Sequence, residues 1–283
     1  MTDGSEQPRA FASDKAVLRD FLPYGKLEDI AKSKAAEYAA ARPFPHIILD
    51  DFFDPAILDA VLDEFPNPRD RNWTLHDTPE ELKLQSSVEN EIPLHTRHFL
   101  YALNSGYFLK FLEKLTGIPN LIADPHFHGG GLHQIVPGGK LAIHIDFNKH
   151  LELGLDRRLN LILYLNKNWK AEYGGDFELW NRDMTQMEKR VAPLFNRVLI
   201  FTLSGHSYHG HPDPLLCPDG MTRKSLALFY YTNGDGTDRE GWSGRHSSLW
   251  HKRPGERFKT SAKHVARELT PPLLWRALAK FSG

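Results

Sequence analysis

The spacing of apolar residues changes character near residue 120. Before that point apolar residues recur at helical intervals, and the pattern predicts three helices: 26–42, 55–65 and 98–115. Asp54 followed by Pro55 is typical of a helix N-terminus, and Gly117 of a helix end. The polar stretch 69–93 is predicted to be rich in loops.

Short apolar runs bounded by Gly, Pro and Asn predict β-strands. Their content of leucine, β-branched and aromatic residues favours strands over helices. The predicted strands are 46–49, 141–145, 159–165, 177–180, 198–203 and 225–232. Because no helical pattern separates the later strands, we expect an antiparallel sandwich or barrel with helices before it, a mainly β fold with α.

Composition excludes several classes of protein. The 283 residues carry 35 Lys and Arg against 36 Asp and Glu, a net charge of −1, which gives no global reason to bind nucleic acid or an anionic membrane. A hydrophobic content of 41% excludes wholesale disorder. The single cysteine, Cys217, excludes a disulfide framework and multi-cysteine metal sites.

The sequence shows no targeting or membrane segment. Its N-terminus lacks the apolar core of a secretory signal, and no stretch approaches the ~18 apolar residues of a membrane span. We therefore expect a cytoplasmic protein without a membrane span, and single-cysteine usage agrees with a reducing compartment.

Fifteen histidines leave imidazole and carboxylate as the candidate metal ligands. His144 and Asp146 are two residues apart on a predicted strand, so both side chains point to the same face. Such a pair can hold one metal ion, although a hydrogen-bonded pair at a strand end is the simpler interpretation.

Further candidates follow the strand at 198–203. The segment 204–211 offers several histidines, and a third ligand from it would complete a set of two histidines and one carboxylate, which suits non-haem Fe(II). On the next strand, Arg223 provides a planar fork for a carboxylate, with the Ser225 hydroxyl on the same face.

Several blocks, taken in order, resemble the Fe(II)/2-oxoglutarate-dependent dioxygenases, in particular the bacterial prolyl 4-hydroxylase-like branch. The blocks are HID at 144–146, RLNLILYLN at 158–166, GGDFELW at 174–180, NRVLIF at 196–201, SYHGHPDPL at 207–215 and RKSLALFYYT at 223–232. FPHIILDDFFDP at 44–55 is similar to the family's lead-in. The resemblance implies a double-stranded β-helix core, of jelly-roll or cupin-like form, that uses Fe(II), 2-oxoglutarate and dioxygen to hydroxylate a C–H bond.

The resemblance also implies roles for individual residues. His144, Asp146 and His209 become the iron ligands, with His211 as the alternative to His209. Arg223 matches the residue that holds the remote carboxylate of 2-oxoglutarate, and Ser225 the small hydroxyl residue beside it.

Four more residues are candidates whose simpler role is packing within the sheet. Gln134 is a candidate for the cosubstrate, Tyr164 and Asn160 for lining the pocket, with Tyr164 toward the cosubstrate and Asn160 toward the substrate, and Trp180 for stacking on a ring-bearing substrate. The histidines at 126, 128 and 133 are predicted to lie at a pocket rim or turn.

We expect one integrated domain in four parts. These are an N-terminal arm at 1–25, a helical support at 26–119, the dioxygenase core at 120–235 and a basic, aromatic extension at 236–283. Within the extension, residues 239–259 form either a solvated loop or a lid that recognises an anionic substrate.

The substrate stays open at this stage: peptidyl proline, an amino acid, a glycan or a small metabolite. Desaturation or cyclisation in place of hydroxylation stays open too, as does the oligomeric state. Phe229 stands where nucleic-acid demethylases of the superfamily have a second arginine, so we expect no nucleic-acid partner. Two rivals are a cupin-like metal-dependent sugar-binding or isomerase module without redox chemistry, and a relative that has lost catalysis.

Overall fold

The structure is a computed structural model that describes residues 21–70, 73–234 and 244–256. Within these residues the chain forms four α-helices and a sheet of thirteen β-strands. The helices are α1 (Tyr24–Ala40), α2 (Pro55–Asp63), α3 (Leu94–Leu103) and α4 (Gly106–Thr116). The strands are β1 (His46–Leu49), β2 (Thr74–Asp77), β3 (Glu81–Ser86), β4 (Ile122–Ala123), β5 (Gly131–Ile135), β6 (Lys140–Ile145), β7 (Asp156–Tyr164), β8 (Phe177–Trp180), β9 (Met187–Val191), β10 (Arg197–Thr202), β11 (His209–His211), β12 (Arg223–Thr232) and β13 (Leu249–Trp250).

The helix predicted at 98–115 is two helices, α3 and α4. The Ser105 side chain accepts a hydrogen bond from the Phe108 N–H, so it caps a new helix instead of continuing the first. Both helices bury apolar faces, which is why one continuous periodicity runs through the break. The predicted N-cap Asp54 and the left-handed Gly117 at the end of α4 are both confirmed.

The prediction that residues 69–93 are rich in loops is wrong for the middle of this segment, where β2 and β3 form a hairpin. The pairing of β3 with β5 and β6 explains the difference. A strand held by distant neighbours needs little local strand propensity, so its sequence gave a weak signal.

All strand pairs that build the sheet are antiparallel, in the order β1-β10-β7-β12-β5-β3-β6-β11-β8-β9. The sheet curls into a nearly closed barrel, and β13 pairs with β6 at His144 and Ile145. The predicted mainly β fold with an antiparallel barrel and helices before it is confirmed.

Side chains alternate between the two faces of the central strands, so that one face packs into the hydrophobic core and the other lines the barrel interior. On β7, Leu159, Leu161 and Leu163 pack with the helices in the main hydrophobic cluster. The intervening positions on β7, Asn160 and Tyr164 among them, face the other way. Burying each such leucine contributes roughly 1.5–3 kcal/mol. The helical layer therefore fixes one face of the sheet and leaves the opposite face to build a site.

Parts of the predicted organisation lie outside the described residues, namely the arm up to residue 20 and the extension except for 244–256. Among the helices that the structure describes, none is both long and apolar enough to span a membrane.

Candidate metal centre

Strand pairing brings three metal-ligand candidates together inside the barrel. His144 on β6 is paired with His209 on β11, and Asp146 follows directly after β6. One ligand atom from each of the three lies within 4.8 Å of the others. The Asp146 carboxylate is 3.4 Å from His144 Nε2 and 3.2 Å from His209 Nε2. No other such group was found in the part of the chain that the structure describes.

Backbone carbonyls fix the orientation of both imidazole rings. His144 Nδ1 lies 2.9 Å from the Ala142 carbonyl oxygen, and His209 Nδ1 lies 2.7 Å from that of Ser207. Since a carbonyl oxygen can only accept, each Nδ1 carries the proton and donates. The lone pair of each Nε2 is therefore free to face the centre.

The charges also favour metal binding. Burial raises the pKa of Asp146, but Arg157 and His209 outweigh it and hold that pKa well below its usual range. Burial lowers the pKa of His209. The site thus presents an anionic carboxylate beside a neutral imidazole, and two histidines with one carboxylate leave coordination positions open for other ligands.

Two further residues hold the carboxylate of Asp146. Asn160 Nδ2 donates to Asp146 Oδ2 at 2.6 Å, and Arg157 Nη2 donates to the same oxygen at 3.1 Å. Asn160 Oδ1 accepts in turn from Arg157 Nε at 2.9 Å. The Arg157 guanidinium lies between two aromatic rings, 4.3 Å from Phe147 and 3.3 Å from Phe229. The sequence did not single out Arg157, which the structure places against the Asp146 carboxylate.

A second group of buried polar side chains lies on β7 and β12. Tyr164 on β7 is paired with Ser225 on β12, and Arg223 lies two residues further along the same face. Arg223 is 4% exposed and donates through Nε to the Gly175 carbonyl at 2.9 Å. No carboxylate among the described residues forms an ion pair with Arg223.

Two polar atoms of this group lack partners. Arg223 and Tyr164 attract each other, with the guanidinium 5.0 Å from the ring centre. Yet in the described structure neither Arg223 Nη2 nor the Tyr164 hydroxyl has a partner in hydrogen-bonding geometry. Burial raises the pKa of Tyr164 to about 12, so the phenol keeps its proton. A buried cation with an open donor beside a free phenol fits a carboxylate.

Comparison with known proteins agrees with this chemistry. Residues 130–231 match the model of the 2OG-Fe(II) oxygenase superfamily. These residues form a 2OG-Fe(II) oxygenase domain. The protein is therefore an enzyme that depends on Fe(II) and 2-oxoglutarate.

Two solved structures show the same fold. A prolyl hydroxylase from Trichoplax adhaerens, in complex with a hypoxia inducible factor peptide fragment, is 16% identical with a TM-score of 0.54, covering 73% of this chain and 91% of that one. A Pseudomonas putida prolyl-4-hydroxylase is 15% identical with a TM-score of 0.51, covering 72% and 99%. No curated protein sequence matches the chain. The barrel of the oxygenase is thus a double-stranded β-helix, as the sequence resemblance implied.

Two predicted site residues of the oxygenase lie elsewhere. Gln134 is paired with Lys224, so it lies on the opposite face of the sheet from Arg223 and donates to Thr222 Oγ1 at 2.9 Å. Trp180 alternates with Phe177, which lines the cavity, and its indole donates to Glu178 at 2.9 Å. The geometry therefore supports neither Gln134 as a cosubstrate ligand nor Trp180 as a substrate contact.

His211, the alternative metal ligand, does not join the metal group of the oxygenase. A register shift between His209 and His211 places His211 opposite Leu141 instead of near Asp146. Its side chain is buried, and Nδ1 has no partner among the described residues.

A cavity of about 530 Å³ lies over the metal centre. The predicted rim residues His128 and His133 line it. The hairpin β2–β3 forms one wall, and residues 247–250 contribute to another, with the Trp250 ring 5.1 Å from that of His144. Both walls lie outside the strands in which sequence reasoning sought the site.

Proposed function

We propose that this oxygenase hydroxylates a C–H bond of a compact polar substrate. His144, Asp146 and His209 would hold Fe(II), and Arg223, Ser225 and Tyr164 would hold 2-oxoglutarate. The observation that carries the proposal is the buried Arg223 guanidinium, whose Nη2 has no hydrogen-bond partner among the described residues, in the same barrel as the three converging candidate ligands.

When bound, iron and 2-oxoglutarate would supply the oxidation, in which 2-oxoglutarate and dioxygen would give succinate, CO₂ and a hydroxylated product. The protein orients these groups. Arg223 offers a planar pair of donors to the distal carboxylate, and Tyr164 and Ser225 add hydroxyl groups. Arg157 and Asn160 keep Asp146 ionised and in place.

The polar face of the β2–β3 hairpin supports a compact polar substrate. Alternating residues of the two strands point into the cavity: Thr74, His76, Glu81, Lys83 and Gln85. A hairpin normally turns its polar face to water, so polar groups over a metal centre are suited to hydrogen-bonding a substrate. A cavity of about 530 Å³ is in the range of small-molecule sites.

An anionic substrate gains less support. Lys83 on the hairpin is 3.1 Å from the Glu81 carboxylate, so its charge is already compensated. In the described part of the basic segment, Arg253 pairs with Asp213 at 2.7 Å. The residues of that segment that line the cavity are Ser247, Ser248 and Trp250. Hydroxyl- or amide-bearing molecules fit this lining better than anions do.

Anaerobic titration tests the reaction class. Fe(II)-loaded protein should develop a charge-transfer absorption band when 2-oxoglutarate is added, and should release succinate in air. Arg223→Leu should weaken 2-oxoglutarate binding by about tenfold or more, because it removes hydrogen bonds between charged groups. If the wild type gives neither band nor succinate, the cupin-like module without redox chemistry replaces this proposal.

Substrate-stimulated succinate release then separates the substrate classes. Polyols, amino acids and a proline-containing peptide should be compared, with stimulation expected from the small polar compounds. Stimulation by the peptide alone would overturn the compact-substrate part of the proposal.

For the distal ligand, His209→Ala should lose metal and His211→Ala should keep it; the reverse result would exchange their roles.

A further inference from the structure

One edge of β6 is shared by two segments that wall the cavity. β3 pairs with β6 at Leu141, which is opposite Glu81, and β13 pairs with it at His144, which is opposite Trp250. Since β11 also pairs with both Leu141 and His144, β3 and β13 occupy the other edge. Three residues of a strand span about 10 Å. Glu81 and Trp250, which both line the cavity, thus lie at the two ends of a short stretch of β6.

The Trp250 indole lies beside a candidate iron ligand. Its ring centre is 5.1 Å from that of His144. Ser248, two residues earlier on the segment, lines the cavity as well, whereas Leu249 between them is 44% exposed and lies outside the lining. The face of an indole carries partial negative charge and attracts the C–H bonds of a saturated ring. Trp250 can therefore hold such a ring by its C–H face next to the metal centre.

The β2–β3 hairpin presents an ion-paired cluster to the same cavity. The Glu81 carboxylate lies 3.5 Å from His76 Nδ1 and 3.1 Å from Lys83 Nζ. Burial raises the pKa of Glu81, but His76 and Lys83 outweigh it and lower that pKa to about 2, so the carboxylate is ionised. Strong acceptors and strong donors thus lie side by side. Because a hydroxyl group both donates and accepts, a neutral polyol can bind both members of the Glu81–Lys83 pair.

We propose that the substrate is a saturated ring with several hydroxyl groups, a sugar or a cyclitol, held by Trp250 at its C–H face and by Glu81 and Lys83 at its hydroxyl groups. This inference rests on the proposed function, because it assigns the substrate of the same site. The ion pair alone would suit an open-chain polyol equally, and the indole alone would suit a proline ring. Their presence in one cavity favours a ring that carries hydroxyl groups.

Calorimetry with matched polyols tests the proposal. The probes are myo-inositol and methyl glucoside as rings, and mannitol as an open chain. Each is titrated into protein loaded with Ni(II) and N-oxalylglycine, an unreactive analogue of 2-oxoglutarate. We expect the wild type to bind the rings more tightly than mannitol. Trp250→Leu should weaken ring binding by about tenfold with little change for mannitol, and Trp250→Phe, which keeps an aromatic face, should recover part of the loss.

A second variant separates the two kinds of contact. Glu81→Gln removes the carboxylate charge and should weaken ring and open-chain polyols alike, by about tenfold. Product analysis adds a readout of orientation. With Fe(II), 2-oxoglutarate and air, the hydroxylated product formed per succinate should fall in Trp250→Leu, because a poorly held ring is not presented to the metal centre.

The opposite results would overturn the proposal. Equal loss of ring and open-chain binding in Trp250→Leu would mean that the indole does not recognise a ring, and binding of a proline-containing peptide but no polyol would assign the site to a peptide. Loss of Ni(II) by both Trp250 variants would make the indole a support for His144 alone. If only the leucine variant loses Ni(II), the preference for rings must still fall in Trp250→Phe, and an unchanged preference there would reject the proposal.

Two controls complete the design. Leu249→Ala, on the same strand but outside the cavity lining, should bind all probes as the wild type does. A wild type that binds Ni(II) but not N-oxalylglycine would refute the proposed function. A wild type that binds N-oxalylglycine but no ring polyol would refute only this inference, so the two failures are distinguishable.

Discussion

The Asn160 side chain hydrogen-bonds to both Asp146, a candidate metal ligand, and Arg157, whose charge keeps Asp146 ionised. Its amide donates to Asp146 at 2.6 Å while its oxygen accepts from Arg157 at 2.9 and 2.7 Å. We predict that Asn160→Leu weakens metal binding by about 10- to 100-fold, because the carboxylate loses a partner that orients it. Titration of the metal-free protein with Co(II) or Ni(II) measures the change.

A matched surface replacement separates this effect from general damage. His98→Leu should keep the wild-type metal affinity. Asn160→Leu with unchanged metal affinity would show that Arg157 alone is sufficient to hold Asp146.

His133 makes stability depend on pH. Burial, assisted by the Lys83 ammonium group, lowers the pKa of His133 from 6.5 to about 3. Between these values the unfolded chain binds a proton that the folded protein does not, so stability falls as the pH decreases from 6.5 toward 3. One such group accounts for at most about 1.4 kcal/mol per pH unit.

The variant His133→Gln should therefore lose stability less steeply on acidification. Its amide can still donate to the Gly129 carbonyl, the partner of His133 Nε2 at 3.1 Å. Urea unfolding of metal-free protein at several pH values below 6.5 gives the two slopes. Equal slopes of stability against pH in the wild type and His133→Gln would mean that groups other than His133 take up the proton.

Sequence alone predicts side-chain direction well within one strand. His144 and Asp146 were placed on one face because alternation is a local property. Arg157 was out of reach, since a register shift at Tyr230–Tyr231 changes the alternation near the start of β7. The alternation that places Asn160 and Tyr164 on one face of β7 therefore does not predict the face on which Arg157 lies.

At the scale of elements, Gly131 determines how closely the β2–β3 hairpin approaches the barrel. A Cβ on Gly131 would lie 2.3 Å from the Ser86 carbonyl oxygen, and its φ is +82°. Gly138 has a similar φ of +79° but no atom within 4 Å of such a Cβ. The two positions thus separate backbone strain from steric contact.

We predict that Gly138→Ala costs about 1 kcal/mol of unfolding free energy, from strain alone. Gly131→Ala should cost roughly 1–3 kcal/mol more, because the added methyl group pushes β3 away. Denaturant unfolding gives both values, and hydrogen exchange should show faster exchange of β3 amides only in Gly131→Ala. Equal losses of unfolding free energy in the two variants would indicate that the hairpin shifts to accommodate the added methyl group without strain.

Relations between elements were harder to predict than the elements. β1 and β8 begin and end where the sequence placed them. Gln134 is a candidate for the cosubstrate or a plain sheet residue on the sequence alone, and its pairing with Lys224 turns it away from Arg223. Register between strands distant in sequence depends on tertiary pairing, which one sequence does not display.

At the scale of the whole molecule, one further strand of the barrel could not be predicted from its local sequence. β3 lies between β5 and β6, and its residues line the cavity from a segment predicted to be loop. The family blocks pointed to the candidate metal ligands and to Arg223 because those residues occur in ordered motifs. The cavity walls at the hairpin and at residues 247–250 belong to segments without such motifs, so the sequence predicted the reaction class better than the substrate.

The candidate metal centre links the neighbouring strands β6 and β11 of the barrel, so metal binding should stabilise the fold. A ligand at 100 times its Kd that binds only the folded state adds about 2.7 kcal/mol. For a chain of this size we expect Ni(II) to raise Tm on the order of 5 °C, and N-oxalylglycine to raise it further. Asp146→Ala should abolish both shifts, measured by differential scanning fluorimetry. The same Ni(II) shift in Asp146→Ala would mean that the metal binds at other histidines, and the three-residue centre would have to be abandoned.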